Sequence, residues 1–466
     1  MGEPRMQKIL LSRLVMIAGL MLLLLLPLSM IHGVVAERQN LQVQVEQTIA
    51  MSLAGPQRLA GPILVVPYVL QQTSVSTDDA GRTIRKSVDR HMQAVFMPDH
   101  LNIEATTGVE ARQKGIYSAM VHRTQANMRA RFVVPAQLGV EHAPGALTVG
   151  RPWIAIGLTD VRGLRAAPVL SWDKQPKPMQ QGTRVAILGD GLHAMVELSS
   201  VQQPGAYDVE ISLDVVGTGS LSVAPLGVET VMQMTAAWPH PNFSGRFLPH
   251  SRSIDASGFR ARWEVSGLAS SNDAQIKRMV ESDKADSKLL EAFDVTFIEP
   301  VNIYQQSERA VKYGILFVVL TFATLFLLEV LTGHRVHPMQ YGLVGLALAM
   351  FFLLLVSLSE HMRFVLAYLA ASSACVILIG YYLTRVLASR RRAAIFSAQL
   401  AVLYAVLYAL LLSEDNALLL GSLLLFAVLA AVMALTRQVD WYQFGANETT
   451  STAETSNSQS PVAVKS

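Results

Sequence analysis

Six apolar segments, at residues 14–35, 314–333, 341–358, 364–384, 393–413 and 416–435, leave one hydrophobic stretch isolated near the start of the chain and crowd five near the end. A bilayer core about 30 Å thick is crossed by roughly 20 apolar helical residues, so each segment is read as a transmembrane helix. About 275 residues of polar sequence separate the first segment from the second, enough to bury one or two cores of their own. The chain must therefore join a helical membrane region to one large block on a single side of the bilayer.

The first segment contains no Asp, Glu, Lys or Arg. Val34-Val35-Ala36 resembles the small-residue pattern that precedes signal-peptide cleavage, but the segment exceeds the roughly 7–15 apolar residues of a signal sequence. It is read as an uncleaved anchor. Of the other segments only the second holds a charge, Glu329.

Lys and Arg flanking spans are retained in the cytoplasm. Arg5, Lys8 and Arg13 precede the first span, Arg335 follows the second, Arg385 and Arg390 to Arg392 follow the fourth, and Arg437 follows the sixth. The alternate connections, Ser359-Glu360-His361-Met362-Arg363 and Glu414-Asp415, are poor in positive charge. Six spans with both termini inside satisfy every connection, which puts the polar block outside the cytoplasm.

Hydrophobic residues make up 51% of the chain and charged residues 16%, with a formal charge of +3. That charge is small and dispersed, and no basic stripe with interleaved aromatics appears, which excludes nucleic-acid binding. The single cysteine, Cys375, falls inside the fourth span, so the polar block has no disulfide to stabilise it.

Leu41, Val45, Ile49 and Leu53 recur every four residues after the first span, a helical period. They predict a helical stalk that props the soluble block away from the surface and stops at Gly55-Pro56. Ile63-Leu64-Val65-Val66 is a short apolar run closed by Pro67. Short runs rich in Val, Ile, Leu and aromatics then recur between Gly, Pro, Asn and Asp turns, among them 93–96, 115–122, 130–134, 153–158, 184–188, 207–216, 231–238 and 259–265. Short strands without long intervening helices predict antiparallel sheets in a sandwich or barrel-like form, the sandwich preferred, as tandem β units rather than one large sheet. Residues 174–182 form a candidate long loop, 273–293 one or two short surface helices, 295–301 a strand, and 305–312 a helical continuation into the second span. The tail after Phe444, rich in Asn, Thr and Ser, is read as disordered.

The expected fold is thus a membrane protein of mixed α and β structure, with six transmembrane helices, one N-terminal and five C-terminal, and a large, mainly antiparallel β domain outside the cytoplasm. Its divisions are a cytoplasmic N-terminus at 1–13, helix 1 at 14–35, the stalk at 36–54, a periplasmic β domain in one or two units at 55–312, a five-helix bundle at 313–436, and a cytoplasmic tail at 437–466.

Gly55-Pro56-Gln57-Arg58-Leu59-Ala60-Gly61-Pro62-Ile63-Leu64-Val65-Val66-Pro67-Tyr68 resembles the opening signature of the CreD family of bacterial inner-membrane proteins. The resemblance continues through Lys114-Gly115-Ile116-Tyr117, Gly150-Arg151-Pro152-Trp153-Ile154 and Gly217-Thr218-Gly219-Ser220-Leu221. It extends to Trp238-Pro239-His240-Pro241-Asn242-Phe243, His337-Pro338-Met339-Gln340-Tyr341, Leu358-Ser359-Glu360-His361 and Asp440-Trp441-Tyr442. It implies a Gram-negative inner-membrane location, an association with cell-envelope integrity, and production under a sensor-kinase/response-regulator pair that answers nutrient or cell-wall stress. It implies no agreed biochemical activity. Within these motifs Arg58, Gly61, Pro62, Tyr68, Tyr117 and Trp238 are candidate functional or structural positions.

The residues themselves offer little chemistry. No G-x-S-x-G elbow, H-E-x-x-H pair, P-loop or dinucleotide-binding glycine pattern occurs. Ser220 follows a glycine on one side only, and the glycines there are better read as a turn. Two prolines bracket His240, which presents it as a ligand or acid–base group or else simply ends a strand at a sheet edge. The second reading is preferred, because no other ligand stands at metal spacing. Glu329 is an ionisable group inside a span, by default a functional candidate. Near the span end it can instead snorkel or pair with a base on a neighbouring helix, and that structural role is preferred to a proton or solute path. Drawing His334 and His337 with Glu329 as a metal site is disfavoured because Pro338 marks a turn. Glu360 and His361 end the third span on the outer side, where a solvated pair is preferred to a ligand contact. No catalytic, cofactor or metal residue is assigned.

Three classes compete. A non-enzymatic envelope protein would use its β domain to bind or scaffold an envelope protein, lipid or glycan. An enzyme on envelope lipid or glycan lacks an acid–base or nucleophile constellation. A transporter, or subunit of one, lacks paired broken helices. The first is preferred by elimination.

Overall fold

The helix begun by the first apolar segment does not stop at the end of that segment: α1 (Glu3–Ser52) is continuous for 50 residues. The structure, a computed structural model, describes residues 3–77, 83–141, 146–281, 290–299, 303–332, 336–413 and 417–437. Expectations for 282–289, His334, Arg335, Glu414-Asp415 and the tail with Asp440-Trp441-Tyr442 lie outside the described residues. The chain divides into one unit of Met1–Asn40 with Val301–Ser466 and another of Leu41–Pro300.

The second unit opens with β1 (Gln57–Thr77), β2 (Thr83–Phe96), β3 (His100–Lys114) and β4 (Tyr117–Val134). Next come β5 (Leu147–Val149), β6 (Trp153–Leu158), β7 (Val169–Trp172), β8 (Gln175–Lys177), β9 (Gln180–Gln181) and β10 (Gly191–Met195). It continues with β11 (Gly205–Thr218), β12 (Ser220–Ala224), β13 (Glu229–Ala236) and β14 (Pro241–Gly245). After β15 (Ser251–Asp255) and β16 (Gly258–Ser266) come α2 (Asn272–Glu281) and β17 (Phe293–Phe297).

One sheet runs β14-β17-β12-β1-β6-β10-β9, with β2 and β5 also paired to β1, and the other runs β15-β16-β13-β3-β4-β11-β7-β8. Both contribute to one apolar cluster, which includes Leu64 and Val66 of the first sheet and Ile103, Met128 and Phe132 of the second. The strands of the two sheets interleave along the chain, which replaces the expected tandem arrangement. Pairing is antiparallel except for β1 with β12 and β3 with β13, which are parallel.

The strands are longer than their hydropathy implied. The runs 115–122 and 130–134 belong to one strand, β4, whose exposed Arg123, Gln125, Asn127, Arg129 and Arg131 alternate with buried Thr124, Ala126, Met128, Ala130 and Phe132. One solvated face hides a strand from a search for apolar runs. β1 has the opposite character. Leu59, Leu64 and Val66 enter the shared core, while Ala60, Ile63 and Val65 pack in a second cluster with Val185, Ile187, Leu188, Leu226 and Ile276. Covered on both faces, it reads as a continuous apolar run.

Pro67 does not close β1. The strand pairs with β6 as far as Val65 and with β5 from Tyr68, so the missing N–H falls in the gap between two partners, a position a sheet tolerates. A bulge opposite β6 lies between Ala60 and Ile63. Gly61 takes φ +118 there, and a Cβ on it would stand 3.0 Å from the Ala155 carbonyl oxygen.

Other local expectations change. Residues 186–188 form a 3₁₀ turn instead of a strand, since a short apolar run does not distinguish the two. The expected loop at 174–182 holds β8 and β9; Asp173 and Lys174 both have positive φ and link β7 to β8 as a tight hairpin turn. In 273–293 only α2 is helical among the described residues, and Phe293 already belongs to β17.

The first unit adds α3 (Ile303–Lys312), α4 (Gly314–Thr332), α5 (Pro338–Ser359), α6 (Phe364–Val386), α7 (Arg390–Leu412) and α8 (Ala417–Thr436). Four helices are long and apolar enough to cross a membrane, in α1, α5, α6 and α7. A fifth candidate is the pair Ile303–Lys312 and Gly314–Val330, bent by 42°, so the helical continuation expected at 305–312 is present and meets α4 at a bend; Leu419–Ala434 is a shorter apolar helix. Pro338 starts α5 at its first helical position rather than ending a turn. Arg390 to Arg392 lie in the first turn of α7, after the Ser389 cap, rather than in a connection. Phe351 packs on Phe352, Tyr368 and Tyr404 at ring separations of 5.0, 5.5 and 4.5 Å. Cys375 is buried beside them and accepts the Tyr404 hydroxyl at 3.1 Å.

Candidate functional site

Among the described residues, three polar arrangements bear on the candidates: two in the membrane unit and one where α1 ends in the β unit. Glu329, near the end of α4, is 6% exposed. It pairs with Arg13 of α1 and accepts the Tyr341 hydroxyl of α5 at 3.0 Å. Three helices thus meet on one carboxylate. The separation of Arg13 from Glu329, 316 residues, puts this pairing beyond local sequence patterns.

The His337 side chain serves the start of a helix. Its Nδ1 accepts the Met339 N–H at 3.2 Å and its own N–H donates to the Gln340 side chain at 2.9 Å, a capping box that starts α5. Among the described residues no group of three potential ligands is found.

Glu360 is not solvated as expected. Its side chain is 10% exposed and stands 3.3 Å from Arg38, whereas His361 is exposed. Arg38 and Arg13 are 25 positions apart on α1, about 37 Å at 1.5 Å per residue. Each meets a glutamate from the later helices, so ion pairs bracket the apolar stretch of α1 at both ends. Gln39 adds a 3.0 Å bond to Glu308 of α3.

In the β unit, Val45 and Leu53 of the stalk sequence join Ile49 in a cluster with Ala119, Val121 and Val216. The chain then leaves α1 through a polar junction. Arg162 donates to the Met51 carbonyl at 2.8 Å, Thr218 to the Ala54 carbonyl at 2.8 Å, and the Gln57 amide to the carbonyls of Asp160 and Val216, each at 3.0 Å. The Arg162 guanidinium holds the Asp160 carboxyl below the usual carboxylate range.

His122 lies behind this junction, 0% exposed. Nε2 stands 3.1 Å from the Ser220 carbonyl, so it carries the hydrogen, and Nδ1 faces the Thr124 hydroxyl at 3.2 Å. Thr124 continues to Thr107 at 2.9 Å. Burial pushes the imidazole down to about 4, so it is neutral at pH 7. Gly217 makes room for it, because a Cβ there would stand 2.5 Å from Nε2. Ser220 therefore takes part through its backbone, and Gly219 turns the chain at φ +77.

The remaining candidates do not converge. Arg58 donates to the Leu290 carbonyl. Gly61 and Pro62 form the bulge of β1, Tyr68 is buried with its hydroxyl 3.6 Å from the Met92 sulfur, and Tyr117 begins β4 half-buried. Trp238 meets His240 edge-on at 6.1 Å. His240 is exposed and works through its carbonyl, which accepts from Ile298 at 3.2 Å, just before the edge strand β14.

Sequence reasoning missed Arg13 and Arg38 as partners, and it missed His122. The signal for His122 was its place among Met120, Thr124 and Ala126 on the inward face of an alternating strand. The signal for the arginines was their position at either end of the first span.

A family model described as inner membrane protein CreD matches residues 9–442. Inner membrane protein CreD of Escherichia coli (strain K12) is 36% identical over 428 residues, covering 91% of this chain and 92% of the relative. The chain belongs to the CreD family. It is thus an inner-membrane family member, and the family's description names no enzyme. Among solved structures, an M1 zinc metallopeptidase from Deinococcus radiodurans aligns with this CreD chain at TM-score 0.19 and 7% identity, over 43% of this chain and 42% of that one. Yeast LTA4 hydrolase with bestatin aligns at TM-score 0.18 and 8% identity, over 48% of this chain and 34% of that one. The chain spans less than half the length of either structure.

Proposed function

We propose that this protein is a non-catalytic inner-membrane factor for envelope integrity, in which a periplasmic β domain binds or scaffolds an envelope protein, lipid or glycan. Six spans anchor it, α3 with α4 acting as one and α8 as the last, with both termini cytoplasmic. The two sheets around their shared core act as a sandwich. The observation that carries the reading is that the conspicuous ionisable groups are engaged structurally. Arg13 with Glu329 and Arg38 with Glu360 tie α1 to α4 and α5, and His122 is an internal strut. Each glutamate answers an arginine, and the His122 imidazole engages both of its ring nitrogens in internal hydrogen bonds. The arginine distribution supports the topology.

Cysteine labelling at 85, 360 and 391 tests the topology: the first two positions should react from the outer face of intact spheroplasts and the third should not. Outer labelling at 391 refutes six spans. Function is tested by complementing a deletion strain for envelope morphology and sensitivity to envelope-directed agents. His240→Ala, Ser220→Ala and His361→Ala at wild-type abundance should retain activity, and the β domain released from its spans should not. Abolished activity in one of these three variants, at normal abundance, makes the enzyme reading the better one. Abolition by Glu329→Gln with normal folding favours proton-coupled transport.

A further inference from the structure

A hollow of about 280 Å³ opens beside Arg13, bounded by Met16 and Ile17 of α1, Glu329 of α4, and Val336 and His337 ahead of α5. Its walls divide by chemistry. Met16, Ile17 and Val336 are apolar, whereas Arg13, Glu329 and His337 supply polar groups to the same space. The Arg13 side chain remains 30% exposed although it pairs with Glu329. A guanidinium has five N–H donors in a planar fork, so one carboxylate contact fixes its plane without using every donor. His337 accepts the Met339 N–H at Nδ1, which leaves the hydrogen of the neutral ring on Nε2, and the residue is exposed.

We propose that this hollow seats the phosphodiester of a membrane phospholipid, with Arg13 and the His337 Nε2–H donating to phosphate oxygens and the acyl chains following Met16 and Ile17. Three observations converge. Arg13 immediately precedes the apolar segment at 14–35, which is headgroup level for a helix that crosses the bilayer. The apolar wall continues directly into that segment, so a ligand with a polar head and a hydrocarbon body matches both halves of the hollow. Among the described residues lining the hollow, Arg13 and Glu329 also cancel in charge. A headgroup whose phosphate is balanced by its own amine therefore enters without leaving a net charge in a partly desolvated place, whereas an anionic headgroup does not. Basic pockets between membrane helices take anionic headgroups; here Glu329 offsets Arg13, and that pairing favours the zwitterionic kind instead. The inference goes beyond the proposed function, since it uses neither the sidedness of the spans nor the envelope partner.

The test is native mass spectrometry of the full chain, delipidated in detergent and titrated with phosphatidylethanolamine, phosphatidylglycerol or inorganic phosphate. A one-to-one phosphatidylethanolamine adduct is expected. It should weaken at least about tenfold in His337→Asn, where Oδ1 keeps the helix cap but the shorter amide cannot place its N–H where the Nε2–H lies. It should weaken similarly in the double variant Arg13→Gln/Glu329→Gln, which removes the ion pair without orphaning either charge. Thermal melting establishes that the variants fold; if the double variant does not, His337→Asn decides. Equal adducts in wild type and His337→Asn overturn the site. Inorganic phosphate competing at the same concentration as lipid overturns the lipid as its source, and tighter binding of phosphatidylglycerol overturns the charge argument. Labelling of the connections reports on topology independently of all these results.

Discussion

Acidification should destabilise the β unit through His122, and replacing that one residue should remove the effect. The imidazole is lowered from 6.5 to about 4 by burial, so the unfolded chain takes up this proton roughly 300-fold more readily than the folded one. Between those values the unfolded state binds more protons, and stability falls as pH falls. The contribution is complete above pH 6.5 and is lost as pH drops through 4. For one such group linkage gives a loss of about 2 kcal/mol on going from pH 7 to pH 5, and about 3 kcal/mol in all. Asp160 and Asp214, held low by Arg162 and Arg123, lose their contributions as pH falls from the ordinary aspartate value of about 4 downward, outside this window. Glu46 is pushed up, first by burial and then by Glu299, and acts in the opposite sense. Comparison with a variant cancels all three. His122→Gln is the variant to use, since its amide can donate to Ser220 and accept from Thr124 but does not titrate. Trp153, Trp172, Trp238 and Trp263 are four of the five tryptophans and all lie in the β unit, so emission during urea unfolding of the full chain in detergent reports that unit. Wild type should lose about 2 kcal/mol more than His122→Gln between pH 7 and pH 5. Equal losses in the two proteins refute the reasoning.

Three further outcomes follow from packing. Gly61→Val places a β-branched residue at φ +118 with its Cβ against the Ala155 carbonyl; about 3 kcal/mol of strain is expected, seen as reduced protease resistance of the β unit with membrane insertion intact. Arg13→Leu should lower the thermal midpoint sharply by leaving Glu329 buried and unpaired, while adding Glu329→Leu should restore most of it; a coupling energy on the order of 1–3 kcal/mol is expected from the double-mutant cycle. Glu360→Gln should cost under about 1 kcal/mol in the same melt, because Arg38 is 39% exposed and water screens the pair.

Four of the six expected spans were legible, in α1, α5, α6 and α7, because length and apolar composition alone define them, and the helix beyond the first span was legible because Val45, Ile49 and Leu53 follow a helical period that the packing uses. Gly61 was legible as a special backbone position from its place between a helix stop and a proline. β4 was only partly legible. Arginines and glutamines on its wet face broke the apolar pattern, although a count by twos finds both the strand and His122. β1 misled for the opposite reason: two clusters bury it, and Pro67 falls where no partner requires an N–H. The site was least legible. Glu329 was visible as a charge inside a span, but its partner lies at the far end of the chain, and only tertiary structure brings Arg13 to it.

The interleaved sheets also set a timetable for biogenesis. The hairpin of β1 with β2 begins at Leu64, but Gln57 to Ala60 pair with β12, roughly 160 residues later, and such non-local closure is slow. β17, which pairs with β12, is synthesised later still. At about 5–20 residues per second, roughly 8–33 s separate synthesis of Gln57 from that of Ala224. Throughout that interval the Gln57–Ala60 stretch of β1 has an open edge, a ready template for pairing with another chain. Yield on overproduction should then depend on how long that edge waits, and slowing the ribosome between β6 and β12 should lower it even though the finished protein is unchanged.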